Sequence, residues 1–205
     1  MIVNKKDIMI NKVLKNLIYV FYPKNISFEK EREKYFESEE YLRLNQILKT
    51  FQSDSKELCS KNILKEFEND YTLKNFQDFT LFEYGDKCLT FNFSIIEDRQ
   101  LYTVSLLISV IAPYYAIKCQ KNIIELFFSE SRIDELQESN LERRKLKEII
   151  SEIESIVEKK LLYSKFPKEL FNFVIEDVSF QETEFGYFKM FNAFFNNLIM
   201  TENEE

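Results

Sequence analysis

The sequence contains no histidine, and Gly85 and Gly186 are the only glycines among its 205 residues. Without imidazole, the chain lacks the commonest general base and the commonest metal ligand of proteins. Two isolated glycines cannot build the glycine-rich loops that hold phosphate groups. These absences exclude histidine-dependent nucleophiles and phosphate-cradling loops, so we expect a protein that is not an enzyme and that uses no cofactor or metal.

Cysteine is scarce as well, because Cys59, Cys88 and Cys119 are far apart and odd in number. This spacing offers neither a disulfide framework nor a CxxC pair for zinc or redox chemistry. Free thiols are typical of reducing compartments. We therefore expect a cytoplasmic protein with unpaired cysteines.

Positive charge is outnumbered, since 28 Lys and Arg residues face 35 Asp and Glu residues and leave a net charge of −7. A phosphate backbone attracts the opposite sign, so nucleic acid is not an expected partner. The clusters Glu29–Lys30–Glu31 and Asp86–Lys87 are similar to the acid-and-lysine pattern of metal-dependent nucleases. In a chain this rich in Lys and Glu, such clusters are more typical of solvated surface charge.

Membrane-spanning runs are missing too. The apolar stretch 1–22 is interrupted by Lys12 and Lys15, and no small-residue cleavage site follows it. Residues 100–117 carry no charge, but polar and apolar side chains alternate along them. A period of two predicts a β-strand. We expect no membrane partner.

The apolar spacing predicts helices in the first third of the chain. Apolar side chains recur at intervals of three and four over residues 8–21, and Pro23 ends this helix. A second helix is predicted to start after Ser27 and to run to about Phe51. A third begins near Asp54, where Glu57 completes a capping box.

The middle of the chain predicts an antiparallel sheet, because aromatic and β-branched runs are separated by short polar turns. Gly85 and Asp86 are the expected hairpin turn, since glycine supplies the positive φ that tight turns need. Short connections favour a meander over parallel crossovers. The predicted strands are 79–84, 88–96, the run from residue 100 to Pro113, 114–119 and 123–128, with a polar turn at 97–99.

A long amphipathic helix is predicted for residues 139–163, with Ser139 and Glu142 as a capping box and Pro167 as its end. Its apolar stripe can pack on the sheet or form a coiled-coil dimer. The stripe is short for a coiled coil, which favours packing on the sheet. A final strand is predicted at 173–180, followed by a short aromatic helix.

These elements together predict an α+β fold. It comprises N-terminal helices, a central antiparallel β-meander of four to five strands, a long helix packed on the sheet and a short C-terminal aromatic helix. A chain of this length fits a single domain over 1–205. Its parts are a mainly helical region at 1–78, the sheet at 79–130, the long helix at 139–163 and an acidic aromatic segment at 168–205.

The charge is concentrated at the C-terminal end. Residues 169–205 contain eight acidic residues and one basic residue, which accounts for the whole net charge of −7. Phenylalanine and tyrosine are frequent in the same stretch. Acidic side chains around aromatic anchors are typical of a protein-binding surface for a basic partner. Alternatively, most of these rings belong to the core. The candidate interface residues are Glu176, Asp177, Glu182, Glu184, Phe185 and Tyr187.

Several sequence blocks resemble small bacterial immunity proteins that are encoded beside secreted interbacterial toxins. The blocks are LTFNFSII (89–96), YTVSLLIS (102–109), APYYA (112–116), VIEDVSFQ (174–181), FGYF (185–188) and NAFF (192–195). The resemblance covers roughly residues 80–200. It implies a protein that binds and neutralises a cognate toxin by occluding its active site or surface.

Two functional hypotheses follow. The first is an immunity protein whose protein partner is a cognate toxin with a basic surface. The alternative is a cytoplasmic scaffold or regulatory adaptor, homodimeric through the long helix. An immunity protein should protect cells from the product of the neighbouring gene, whereas an adaptor should not.

Overall fold

The computed structural model describes residues 5–54, 60–70, 73–74, 76–98, 100–123, 129–132, 135 and 145–196. Its helices are α1 (Lys5–Phe21), α2 (Arg32–Phe36), α3 (Glu39–Asp54), α4 (Ser60–Asn69), α5 (Leu146–Leu161) and α6 (Met190–Phe194). Its strands are β1 (Gln77–Asp78), β2 (Cys88–Glu97), β3 (Gln100–Ser109), β4 (Tyr114–Asn122) and β5 (Ser164–Lys165). The fold is α+β, with helices packed on a sheet, as the sequence predicts.

The sheet is a meander in the order β1-β2-β3-β4-β5. The first four strands are antiparallel, and β2 and β3 pair along their whole length, from Cys88–Ser109 to Glu97–Gln100. Of the turn predicted at 97–99, Glu97 still belongs to β2, Asp98 is in a turn, and Arg99 lies outside the described residues; β3 ends before Pro113, as predicted. The parallel edge strand β5 was not predicted, and residues 124–128 of the last predicted strand lie outside the described residues.

The uncharged run at 100–117 forms β3 and the start of β4, as its alternation predicts. In the described part of the chain, no helix combines the length and the apolar character needed to cross a bilayer.

Each face of the sheet covers its own hydrophobic cluster, because alternate residues of a strand point to opposite sides. One face packs against α4 and α5, and the other against the N-terminal helices and residues 166–196, which we call the C-terminal segment. The first cluster includes Phe67, Phe91, Phe93, Val104, Ile153 and Val157. The second includes Ile18, Tyr22, Tyr35, Leu107, Phe166, Phe180 and Phe194.

The long helix α5 is shorter than predicted. It begins at Leu146, where the Glu148 carboxylate accepts a hydrogen bond from the Lys145 backbone N–H at 3.1 Å. The predicted capping box at 139 and 142 lies outside the described residues. The predicted end at Pro167 is wrong, because Leu162 already adopts a left-handed conformation with φ of 57°. The apolar stripe of α5 belongs to the cluster on the sheet, so it is not available as a coiled-coil seam.

The single helix predicted between Ser27 and Phe51 is wrong, because the chain forms α2 and α3 with a break at residues 37–38. Ser38 explains the break. Its hydroxyl donates to the Tyr35 carbonyl at 2.6 Å and accepts the Tyr41 backbone N–H at 3.3 Å, as a residue before a helix does. The predicted cap of the next helix, at 54 and 57, falls partly on residues that are not described, and α4 begins at Ser60.

The predicted strand at 79–84 and its Gly85–Asp86 hairpin are also wrong. The strand β1 ends at Asp78, whose carboxylate accepts the Thr80 backbone N–H at 2.9 Å and turns the chain. Residues 82–84 form one 3₁₀ turn, and Gly85 ends it with φ of 84°. The glycine supplies a positive φ as expected, but at the end of a helical turn.

The predicted final strand at 173–180 is wrong as well. Within the described residues, this stretch makes only the isolated bridges Val174–Lys189 and Phe180–Thr183. Ile175, Val178 and Phe180 are instead buried beneath the turns of an irregular segment. The predicted aromatic helix that follows is present as α6.

The C-terminal segment is fastened to the N-terminal helices by long-range hydrogen bonds. Tyr22 Oη donates to the Ala193 carbonyl at 2.8 Å, and Tyr35 Oη donates to the Ser179 carbonyl at 3.0 Å. The Ser179 hydroxyl in turn accepts the Phe28 backbone N–H at 2.8 Å. Both phenol rings are buried, which raises their pKa and keeps them donors.

Lys87 is a charged residue inside this part of the core. Its side chain is 0% exposed, and Nζ has no hydrogen-bond partner in the described structure. Nζ lies 4.9 Å from the centroid of the Phe180 ring, which gives a cation–π contact. Burial lowers the pKa of the ammonium from 10.5 to about 8, against smaller opposing effects of Cys88 and Asp86. The expectation of solvated surface charge is therefore wrong for Lys87.

We expect Lys87→Met to stabilise the protein in a pH-dependent way, because it removes a buried charge and keeps an unbranched apolar side chain. The pKa of Lys87 is lower in the folded state than in the unfolded state. Between about pH 8 and pH 10.5, the unfolded state therefore carries more bound protons than the folded state. The penalty for burying the ammonium is complete below this window and fades as the pH rises through it. The free energy of unfolding should increase by roughly 2–3 kcal/mol near pH 7 and by less than about 1 kcal/mol near pH 10.5.

Urea unfolding of the wild type and of Lys87→Met across this pH range measures the difference. Comparing the two proteins at each pH cancels the titration of the tyrosines, which both proteins share. A difference that does not change with pH would contradict the shifted pKa.

Candidate functional site

The candidate interface residues lie on two adjacent turns of the C-terminal segment. The Gly186 backbone N–H donates to the Glu176 carbonyl at 3.1 Å, and the Tyr187 N–H donates to the Glu184 carbonyl at 3.2 Å. The Ile175 N–H donates to the Phe188 carbonyl at 2.8 Å. These bonds bring residues 176–177 and 184–187 together, although several residues separate them in the sequence.

Five of the six candidate residues are exposed and form what we call the acidic turn surface. Tyr187 is 71% exposed and Phe185 is 38% exposed. No ion-pair partner for the three carboxylates is found among the described residues. The acidic turn surface comprises Glu176, Glu182, Glu184, Phe185 and Tyr187.

Asp177 is placed differently from the other five. It is half-buried, and its carboxylate accepts a hydrogen bond from Tyr19 Oη at 2.8 Å. Its backbone carbonyl accepts the Asn25 N–H at 2.8 Å. Asp177 therefore connects the turns to α1, and its carboxylate is not part of the exposed acidic turn surface.

Most aromatic rings of the C-terminal segment belong to the core, which was the alternative left open by the sequence. Phe180, Phe188, Phe191, Phe194 and Phe195 are buried. The exposed aromatic anchors are thus reduced to Phe185 and Tyr187. Burial of the other rings holds the turns that carry them.

A pocket of about 670 Å³ adjoins the acidic turn surface. It lies between residues 28–32, the 3₁₀ turn at 82–84 and residues 181–182. Its volume is within the range of about 300–1,000 Å³ that is common for small-ligand sites, although it is open to solvent. The lining residues are Phe28, Glu29, Arg32, Tyr84, Gln181 and Glu182.

The sequence analysis identified only Glu182 among these lining residues as an interface residue. The others come from segments that are about fifty and a hundred residues apart, so no spacing pattern could reveal them. The one local indication was Gly85, which marks a turn beside Tyr84.

A close contact between Gly85 and Gln181 joins two walls of the pocket. Gln181 Nε2 donates to the Tyr84 carbonyl at 2.9 Å. A Cβ atom at Gly85 would lie 2.1 Å from Nε2, so the amide occupies the space that any other residue would need. Gln181 itself has φ of 52°, a conformation that its turn imposes.

The described residues contain no group of three or more Cys, Asp or Glu side chains that could hold a metal ion. The Glu31 carboxylate is occupied locally, because it accepts the Ser27 backbone N–H at 3.1 Å and pairs with Lys34 at 3.0 Å. Burial raises the pKa of the Cys88 thiol to about 12, which keeps the sulfur protonated near neutral pH. Cys119 is half-buried, and Cys59 lies outside the described residues.

Gly85 and Gly186 make a matched pair of test positions. Both have a positive φ, but nothing lies within 4 Å of a Cβ at Gly186. We expect Gly186→Ala to lower the free energy of unfolding by about 1 kcal/mol through backbone strain alone. Gly85→Ala should cost about 1 kcal/mol more, because the displaced Gln181 amide loses its bond to Tyr84.

Urea unfolding of both variants measures this difference. In a Gln181→Ala background, the two glycine substitutions should cost the same. A difference that persists in that background would show that the Gln181 contact is not its cause.

The acidic turn surface and the pocket are thus defined by the contacts, exposure and charge of the chain's own residues. Comparison of the chain with protein-family models, with curated proteins and with solved structures gave no match.

Proposed function

We propose that this protein binds a basic protein partner through the acidic turn surface and blocks the partner's activity by covering it. The observation that carries the proposal is the set of three exposed carboxylates around Phe185 and Tyr187, which have no ion-pair partners among the described residues. Unpaired acids attract a basic surface from a distance and speed the encounter. Exposed aromatic side chains supply the apolar contact that retains the partner.

The support behind the surface favours this role. Asp177 ties the turns to α1, and Ser179 ties them to the chain between α1 and α2. A surface that is already held in one conformation loses little conformational freedom when a partner binds. The binding energy is then available for affinity.

The biological form that we propose is an immunity protein acting in the cytoplasm. This step rests on the sequence resemblance given above, together with a surface that needs only shape and charge to act. If the toxin is a nuclease, the carboxylates of the acidic turn surface would occupy the basic groove that otherwise holds phosphate. A cytoplasmic adaptor could use the same surface, but it would give no protection against a toxin.

We expect charge reversal at Glu184 to weaken partner binding about tenfold, which corresponds to ~1.4 kcal/mol. The substitution replaces an attractive charge by a repulsive one at the contact. The partner to be used is the product of the neighbouring gene, with affinity measured by calorimetry and protection by co-expression in growing cells. The fold should stay intact, because surface substitutions change stability by only about ±0.5 kcal/mol.

Glu68→Lys is the matched control, since Glu68 is an exposed acid on α4, which packs on the opposite face of the sheet. It changes the net charge equally and should leave affinity and protection unchanged. Equal losses in both variants would indicate a net-charge effect and contradict the acidic turn surface as the contact. Binding by the wild type without protection would refute the immunity role and favour an adaptor.

A further inference from the structure

We infer that the pocket beside the acidic turn surface receives the side chain of an arginine from the partner. The inference rests on the proposed function and names the anchor of the same contact. It is drawn from the aromatic walls of the pocket, the sign of its charge and its fixed shape.

The aromatic walls provide surfaces on which a planar cation can stack. Tyr84 is 73% exposed, so much of its side chain is free to contact a ligand. Phe28 is held in place by edge contacts with Tyr35, Phe36 and Phe180, at centroid distances of 5.0, 5.4 and 5.2 Å. A guanidinium group stacks on such rings and still donates hydrogen bonds in its own plane.

The charge of the lining selects a cation. Glu29 and Glu182 are exposed acids that have no ion-pair partner in the described structure, whereas Arg32 is the single basic residue of the lining. The Arg32 guanidinium carbon lies 5.5 Å from the Phe36 ring centroid, so its charge already has a contact within the chain. The lining therefore has a net charge of −1 and two carboxylates free to accept hydrogen bonds.

A similar combination occurs elsewhere in this protein. Lys24 Nζ lies 3.5 Å from the ring centroid of Tyr19, and the Tyr19 hydroxyl is bonded to Asp177. A cation, a tyrosine ring and a carboxylate thus meet next to α1. The pocket likewise contains a tyrosine ring, Tyr84, and two carboxylates, Glu29 and Glu182. We propose that the partner supplies the cation.

The pocket is both held in shape and continuous with the proposed contact. The bond from Gln181 to the Tyr84 carbonyl fixes the distance between two walls, so little adjustment is needed when a ligand enters. Glu182 belongs to the pocket and to the acidic turn surface alike. An arginine seated here would therefore lie under the same partner that covers Glu184 and Tyr187.

The test uses N-acetyl-arginine amide as the probe, titrated into the full-length protein and followed by two-dimensional NMR. Saturable shifts are expected at the lining residues, with a dissociation constant below about 10 mM. N-acetyl-citrulline amide has nearly the same shape without the charge and should bind at least about fivefold more weakly. Equal binding of both probes, or shifts confined to other residues, would overturn the inference.

Four single variants sharpen the result. Glu182→Gln should weaken arginine binding about threefold, whereas Arg32→Gln should strengthen it about twofold, because one removes attraction and the other removes repulsion. Tyr84→Leu should weaken binding, and Tyr84→Phe should retain it. The opposite signs at Glu182 and Arg32 would show that the pocket takes an anion and would refute the inference.

Failure of this inference is distinguishable from failure of the proposed function. If the arginine probe does not bind but Glu184→Lys still weakens partner binding and protection, the pocket is not the anchor and the acidic turn surface remains the contact. If the probe binds and no variant of that surface affects protection, the pocket recognises a cation without the proposed function.

Discussion

The structure depends on the hydrogen bonds that two buried tyrosines make to an irregular stretch of chain. The C-terminal segment is built from turns and isolated bridges, and two of its carbonyl groups accept hydrogen bonds from tyrosines near the start of the chain. Tyr22 and Tyr35 supply these donors to the carbonyls of Ala193 and Ser179. An unsatisfied buried carbonyl costs about 1–3 kcal/mol, so each of these bonds decides whether the segment can lie where it does. Together with the contacts of Asp177 and Ser179, they hold the turns that carry the exposed acids against the N-terminal helices.

Phe180 is the residue at which this core meets the surface. Its ring centroid lies 5.3 Å from that of Tyr22 and 5.2 Å from that of Phe28. The same ring makes the cation–π contact with the Lys87 ammonium. Its backbone pairs with Thr183 and closes the turn that presents Glu182 to solvent. One residue therefore contacts a buried cation and the Phe28 wall of the pocket, and its backbone closes the turn that carries an exposed carboxylate. The packing of Phe180 therefore helps to position both the acidic turn surface and the pocket.

The parts of the fold that the sequence predicted are those with a local cause. Alternation along residues 88–109 specifies which side chains face the core, and the polar turn between the strands sets their register, so β2 and β3 could be inferred. The predictions failed where a short-range contact overrode the pattern. Ser38 splits one expected helix into two, Asp78 ends a strand early, and Leu162 ends a helix before the proline.

The candidate site was predictable only in part for a similar reason. The charge concentration after residue 169 pointed to Glu176, Glu182 and Glu184, because composition is visible in a single sequence. Which rings stay exposed depends on packing against α1 and α2, and that is decided by contacts between residues more than 140 positions apart. The pocket and the burial of Lys87 also arise from contacts between distant residues, such as Gln181 with Tyr84 and Phe180 with Lys87. No local pattern carries that information.

The separation between these contact partners also affects how the protein is made. At about 5–20 residues per second, a ribosome needs roughly 10–30 s to progress from Tyr22 and Tyr35 to the residues whose carbonyls they meet. During that interval the aromatic faces of the first helices have no native cover. They are the surfaces on which a chaperone would act during synthesis, and the C-terminal segment is the part of the chain that would displace it.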